Sequence, residues 1–212
     1  VSCDTEVDHR YDSGVSLELA QWRKQTIKEL SYNLHFDIPE QRETAVTGRV
    51  EIAFRLDAPE EVVIDFRDTD LISEVMCNGS SAIEYQLANE HIIIDSRALC
   101  AGHNSVVVAF EASSQSLNRN DEFLYTLLVP DRARTLFPSF DQPDLKASFS
   151  LSLTIPREWV AVSNTAVASS EAIGDHRQRV RFAPTEPLST YLFSFVAGRL
   201  NSRTYDDGEH RF

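Results

Sequence analysis

The sequence predicts an all-β fold, a large antiparallel saddle-like sandwich preceded by one short N-terminal helix. Two observations carry this. The hydrophobic period changes from about 3.6 residues to 2 near residue 30. From there to the end of the chain, short apolar runs alternate with polar turns at regular spacing. No internal repeat or low-complexity linker interrupts them, so one domain is the simpler reading.

Residues 1–13 read as a flexible, polar and acidic tail, leaving 14–212 as the β domain. Ser16 can cap a helix over residues 17–28, with Leu19, Trp22 and Ile27 as its apolar residues. Tyr32, Leu34, Phe36 and Ile38 then alternate with polar neighbours. So do Val46, Gly48, Val50, Ile52 and Phe54. These are two half-buried strands, antiparallel neighbours joined through residues 39–44. Further strands are expected near 62–66, 73–77, 83–87, 91–95, 105–112, 123–129, 147–155, 160–163, 166–170, 177–182 and 190–200. Asn78-Gly79, Asn89-Glu90 and Gly102-His103-Asn104 mark turns between them.

The formal net charge of −13 argues against nucleic acid, which needs clustered Lys and Arg, and against an anionic membrane surface. Cys3, Cys77 and Cys100 form no CxxC pair, which excludes a zinc ribbon. Cys77 and Cys100 could pair; the reading taken is two buried free thiols. Asn78-Gly79-Ser80 matches a glycosylation sequon by letter but reads better as a tight turn. No run of about 18 apolar residues is present to span a membrane as a helix. Val1-Ser2-Cys3-Asp4 matches the tail of a bacterial lipobox, with Cys3 as the lipidated residue; a flexible terminus accounts for the same residues equally well. The lipobox reading places the protein at the cell envelope through a lipid anchor, against a cytoplasmic alternative. The final residues read as the approach to another element, so the chain is expected to be a piece of a longer protein.

Complete catalytic motifs are absent. None of the six histidines is followed by Glu and no two lie four apart, so no HExxH zinc site is encoded. There is no GxSxG elbow, P-loop or GxGxxG turn. With 33 acids, spacing alone cannot select a catalytic carboxylate pair. No catalytic residue, metal ligand or cofactor site is therefore assigned to this chain.

The most informative stretch is YTLLVPDRARTLFPSFDQPDLKASF, residues 125–149. An apolar strand runs into Pro130, whose fixed φ turns the chain. Arg132, Arg134, Leu136, Phe137 and two more prolines follow, describing a rigid loop with buried aromatics. The arginines are expected to pair with Asp131, Asp141 or Asp144. The alternative is a shaped surface that docks on another domain or lines a cleft.

Arg134-Thr-Leu-Phe137-Pro138-Ser139-Phe140-Asp141-Gln142-Pro143, followed by Lys146-Ala147-Ser148-Phe149, resembles the signature AR-x-x-FPCFDEP-x-x-KA-x-F. That signature belongs to the N-terminal domain of zinc aminopeptidases related to aminopeptidase N and leukotriene hydrolase. Tyr32-Asn-Leu-His-Phe-Asp-Ile-Pro39, Gly102-His-Asn104 and Pro187-Leu-Ser-Thr-Tyr191 match the same domain in the correct order, so the resemblance covers roughly residues 17–205.

The resemblance implies a saddle-shaped β domain beside a thermolysin-like catalytic domain of the same polypeptide. That catalytic domain would hold the zinc, and the whole would remove N-terminal residues from peptides. In the family a Gln-x-Gln or Gln-x-Glu pair of this domain reaches the peptide's amine end. Those positions are Leu127 and Val129 here, both apolar, which leaves three routes: the loop register shifts, or backbone carbonyls near residues 126–129 serve, or the amine relies on the catalytic domain alone. The resemblance assigns Thr126, Leu127 and Val129 to the rim of the cleft. Arg132, Arg134, Phe137, Phe140 and Asp141 are assigned to an interface loop. A free-standing cell-envelope β-sandwich that binds glycans or peptides is the alternative reading.

Overall fold

The computed structural model describes residues 9–201. Cys3, the first eight residues of the expected tail and the segment from Tyr205 onward lie outside the described residues.

The N-terminal helix α1 is Leu17–Thr26, and Ser16 caps it by accepting a hydrogen bond from the Leu19 amide at 3.1 Å. Leu19 and Arg23, one turn apart, are its buried residues. Residues 9–13 do not behave as tail. Asp12 offers its carbonyl to His91 at 2.8 Å, and Ser13 bonds Glu90 at 2.8 Å, which ties this segment to the sandwich.

The strands in chain order are β1 (Lys28–Asp37), β2 (Thr47–Leu56), β3 (Val62–Asp65), β4 (Ile72–Cys77), β5 (Tyr85–Ala88), β6 (His91–Ile94) and β7 (Gly102–Glu111). They continue as β8 (Leu117–Arg119), β9 (Phe123–Thr126), β10 (Ser148–Pro156), β11 (Val160–Ser163), β12 (Val167–Ile173), β13 (Arg177–Phe182) and β14 (Phe195–Gly198). A seven-stranded sheet runs β12-β13-β10-β1-β2-β7-β4. A four-stranded sheet, β11-β14-β9-β8, and a three-stranded sheet, β3-β6-β5, complete the described strands.

Two features depart from the sequence reading. β1 and β10 pair in parallel, so the large sheet is mixed rather than wholly antiparallel. Pairing between segments more than a hundred residues apart leaves no local turn signal to read. The strand expected over 190–200 begins instead with a 3₁₀ turn at Thr190–Leu192, and only Phe195–Gly198 pairs.

The core lies between the large sheet and the two small ones. Tyr32, Leu34, Phe36, Val50, Ile52 and Phe54 all face inward, as their alternation requires. They meet Phe137, Phe149, Phe193 and Phe195 from later elements, and the Phe149 and Phe193 rings stack at 4.9 Å. Each fully buried side chain of this size contributes about 1.5–3 kcal/mol. Gly48 lies opposite Phe110, and a Cβ there would sit 2.4 Å from the Phe110 ring, so the missing side chain makes room for the aromatic. The Asn78-Gly79 turn is a hairpin with φ of 51° and 80°, a form that favours Asn-Gly.

Both thiols are free, but only Cys77 is buried; Cys100 is exposed, correcting the expectation of two buried thiols. Burial, with a smaller effect from Cys100, pushes the Cys77 thiol up to about 11. The cause of the exposure is position: Cys100 precedes the Gly102 turn at the sheet margin, where Asn104 holds its backbone.

Candidate functional site

Strand β9 and the residues after it alternate strictly. Leu124, Thr126 and Leu128 point inward, while Tyr125, Leu127 and Val129 point outward and are 41%, 48% and 53% exposed. The neighbouring strands repeat the pattern. Tyr125 lies opposite Val196 on β14, which lies opposite Val162 on β11. In the adjacent row Phe123 lies opposite Gly198, which lies opposite Val160. The Phe123 and Tyr125 rings stack at 6.3 Å, and Phe123 crosses Gly198 so closely that a Cβ there would be 2.4 Å from its own. Val160 and Val162 are 46% and 52% exposed. The result is a contiguous outward face of Val, Leu and Tyr on a strand scaffold. Soluble surfaces ordinarily break such a patch with charge, and one left intact marks a contact.

The loop over residues 130–143 is fixed from beneath. The Arg132 amide bonds the Leu128 carbonyl at 2.9 Å, and a 3₁₀ turn follows at Ala133–Thr135. Ser139 exchanges backbone hydrogen bonds with Asp65 at 2.8 and 3.0 Å. The Asp65 carboxylate is wholly buried. It accepts from the Asp141 amide at 2.8 Å and from both Arg23 guanidinium nitrogens at 2.8 and 2.6 Å, and it meets His91 Nδ1 at 3.0 Å. Arg23 also donates to the Val63 carbonyl at 2.7 Å and lies 5.3 Å from the Phe140 ring centre. The Phe140 amide donates to the Tyr32 hydroxyl at 2.9 Å. Helix α1, the three-stranded sheet and the loop thus meet on one buried charge.

Burial raises the pKa of Asp65, but the Arg23 charge and the hydrogen bonds from His91 and Arg23 outweigh it and hold the carboxyl below its usual range. Asp141 goes the other way: burial pushes it up, and its bonds from the Arg134 amide and the Thr190 hydroxyl only partly offset this.

The structure gives each residue assigned from the sequence a definite place. Thr126 is 7% exposed and its hydroxyl accepts from the Phe195 amide at 3.1 Å, so its side chain is engaged inside the domain and only its backbone is left for the rim. Phe137 and Phe140 are fully buried and Asp141 is 5% exposed, so they hold the loop from inside rather than touching a neighbour. Their apolar rings fill the core, and the Asp141 carboxylate is occupied by its own loop. Arg134 pairs with Glu90 at 2.6 Å rather than with an aspartate of the loop. Arg132 is exposed, as are Leu127 and Val129. The reading of the sequence missed the Arg23–Asp65–His91 cluster, although a lone Asp inside Val62-Val63-Ile64-Asp65-Phe66 was a signal. Among the described residues, no group of three or more His, Cys, Asp or Glu lies close enough to hold a metal ion.

Fold and site together define a β domain with one apolar side left open. The chain belongs to the peptidase M1 N-terminal domain family, whose model matches residues 28–192. It is 25% identical to human glutamyl aminopeptidase over 87% of this chain and 22% of that protein. It is 28% identical to aminopeptidase N of Streptomyces lividans over 90% of this chain and 23% of that protein. An M1 zinc metallopeptidase from Deinococcus radiodurans superposes with a TM-score of 0.69 at 17% identity, covering 88% of this chain and 46% of that one. The chain therefore spans under a quarter of these curated relatives and about half of the solved one.

Proposed function

We propose that this chain is the non-catalytic N-terminal domain of a longer zinc-dependent aminopeptidase. Its apolar outer face packs on a thermolysin-like catalytic domain of the same polypeptide, and Leu127 and Val129 stand at the rim of the peptide cleft. The observation that carries this is the open Tyr125–Val196–Val162 face lying directly beside the braced 130–143 loop. A stable domain–domain contact needs such a water-excluding patch, and nothing among the described residues covers it. The length of the relatives supplies the occupant, since most of each lies outside the region this chain matches.

Zinc belongs to the catalytic domain in this proposal and would supply an activated water there. This chain contributes position only. Leu127 and Val129 offer no side-chain acceptor for a substrate ammonium, so any contact from this rim to the amine end is through backbone carbonyls. Lipidation at Cys3 and a place at the cell envelope belong to the same proposal, motivated by Val1-Ser2-Cys3-Asp4.

The test compares this chain with the longer gene product for zinc content and for hydrolysis of unblocked aminoacyl anilides. The expected result is activity and one zinc in the long form and neither in the short. Activity or stoichiometric zinc in the short chain would overturn the proposal.

A further inference from the structure

The outward face of the seven-stranded sheet carries a cavity of about 620 Å³. Cross-strand register explains its shape. His35 on β1 lies opposite Arg49 on β2 and Ser152 on β10, and Ser152 lies opposite Arg181 on β13. Arg49 and Arg181 thus share one row at three strand spacings, about 14 Å. Between them the floor is short and polar. Glu51, Asn33 and Ser150 form the row on one side, and Asp37, Thr154 and Arg179 the row on the other, with Asp37 paired to Arg177 at 2.8 Å.

The walls are guanidinium and the floor carries hydroxyl, amide and imidazole groups, with Val107, Leu151 and Phe182 also lining it, in a chain whose net charge is −13. Each arginine has a carboxylate on its outer side rather than across the groove. Arg49 meets Glu74 at 2.7 Å, while Arg181 and Arg179 share Glu171 at 2.9 and 3.9 Å. Glu51, the remaining acid in the lining, is engaged by the Ser105 hydroxyl at 2.9 Å. These ion pairs are solvent-exposed and individually weak, so an incoming acid can displace or share them.

We propose that this groove binds a carboxylate-bearing sugar, its carboxylate held by the arginine walls and its ring hydroxyls by Asn33, Ser150 and Ser152. A guanidinium matches a carboxylate with two parallel hydrogen bonds. The groove is wider than a bare ion requires and its floor donors and acceptors suit a hydroxylated ring. A polyanion such as nucleic acid is disfavoured by the charge of the rest of the chain. Burial, and then the charge of Arg179, pushes the His35 pKa down. The ring therefore serves as a neutral hydrogen-bond partner, already bonded to Ser152 at 2.9 Å. The site lies across the core from the apolar face and does not depend on the aminopeptidase reading.

The test titrates the 212-residue chain with trigalacturonate, with neutral galactotriose and with inorganic phosphate, following backbone amide shifts. Saturable trigalacturonate binding is expected, with shifts centred on β1 and β10. The neutral trimer should bind at least tenfold more weakly. The Arg49→Gln/Arg181→Gln double variant should lose binding at least tenfold, and Arg55→Gln, elsewhere on the same sheet, should keep it. The shift map needs no variant and stands even where a substitution perturbs folding. Lack of saturable binding, equal binding of the neutral trimer or of phosphate, or shifts centred away from β1 and β10 would each overturn the proposal.

Discussion

On the seven-stranded sheet the outward positions of β1, β2, β10 and β13 hold Asn33, His35, Arg49, Glu51, Ser152, Arg179 and Arg181. On the four-stranded sheet the outward positions of β9, β14 and β11 hold Tyr125, Val196 and Val162. Both faces follow the same two-residue alternation, and both back onto one core. They differ in what completes them. Exposed carboxylates pair with the arginines of the first face and finish it for water. The second is finished only by something that removes its apolar side chains from water. Alternation therefore says which residues leave the core, and only their chemistry says whether solvent or protein meets them.

The interior that both faces share gives the largest expected effect. Asp65→Ala strips the partner from a fully buried Arg23 and should cost about 3–5 kcal/mol, read from urea midpoints. A loss under about 1 kcal/mol would mean the cluster is no brace. The pH dependence has a defined sign. The folded pKa of Asp65 lies below the unfolded value of about 3.9, so its contribution is complete above that value and is lost as pH falls through the folded one. Asp141, raised by burial, has the opposite sign: its contribution is complete below about 3.9 and is lost as pH rises through its folded pKa. The Asp65 variant should therefore show a shallower loss of stability on acidification.

Substitutions on the apolar face should separate chain from context. Leu127→Lys and Val162→Lys should each change the stability of the 212-residue chain by less than about 0.5 kcal/mol. In the longer product each should weaken domain docking by about 1.5–3 kcal/mol, read as earlier unfolding of one domain. Equal effects in both forms would remove the contrast between the two faces. The smallest effect is expected on the finished face. Arg181→Gln should cost less than about 1 kcal/mol in either form, by thermal melting. A larger loss there would show that the polar face too is part of a contact.

The strands were legible because their patterns are local. Val160–Ser163 and Arg177–Phe182 fall where alternation puts them, and Ser16 announces its helix by capping chemistry. The short strand Leu117–Arg119 was missed because three residues carry no period. The parallel β1–β10 pairing was missed because it is nonlocal. The candidate site was legible in half. The signature loop stood out by composition, but the direction of each side chain did not. Strict alternation from Tyr125 would have turned Thr126 inward. The arginine groove was invisible because Arg49 and Arg181 are far apart in sequence and come into one row only through three strand pairings.

The central claim is that the apolar face is covered by the rest of a longer polypeptide while the polar face stays in water. Hydroxyl-radical footprinting tests it directly, with Tyr125 and Leu127 as probes of the first face and His35 and Met76 of the second. The account predicts that Tyr125 and Leu127 react in the 212-residue chain and become protected in the longer product, while His35 and Met76 react equally in both. Equal reactivity of Tyr125 and Leu127 in the two forms would contradict it.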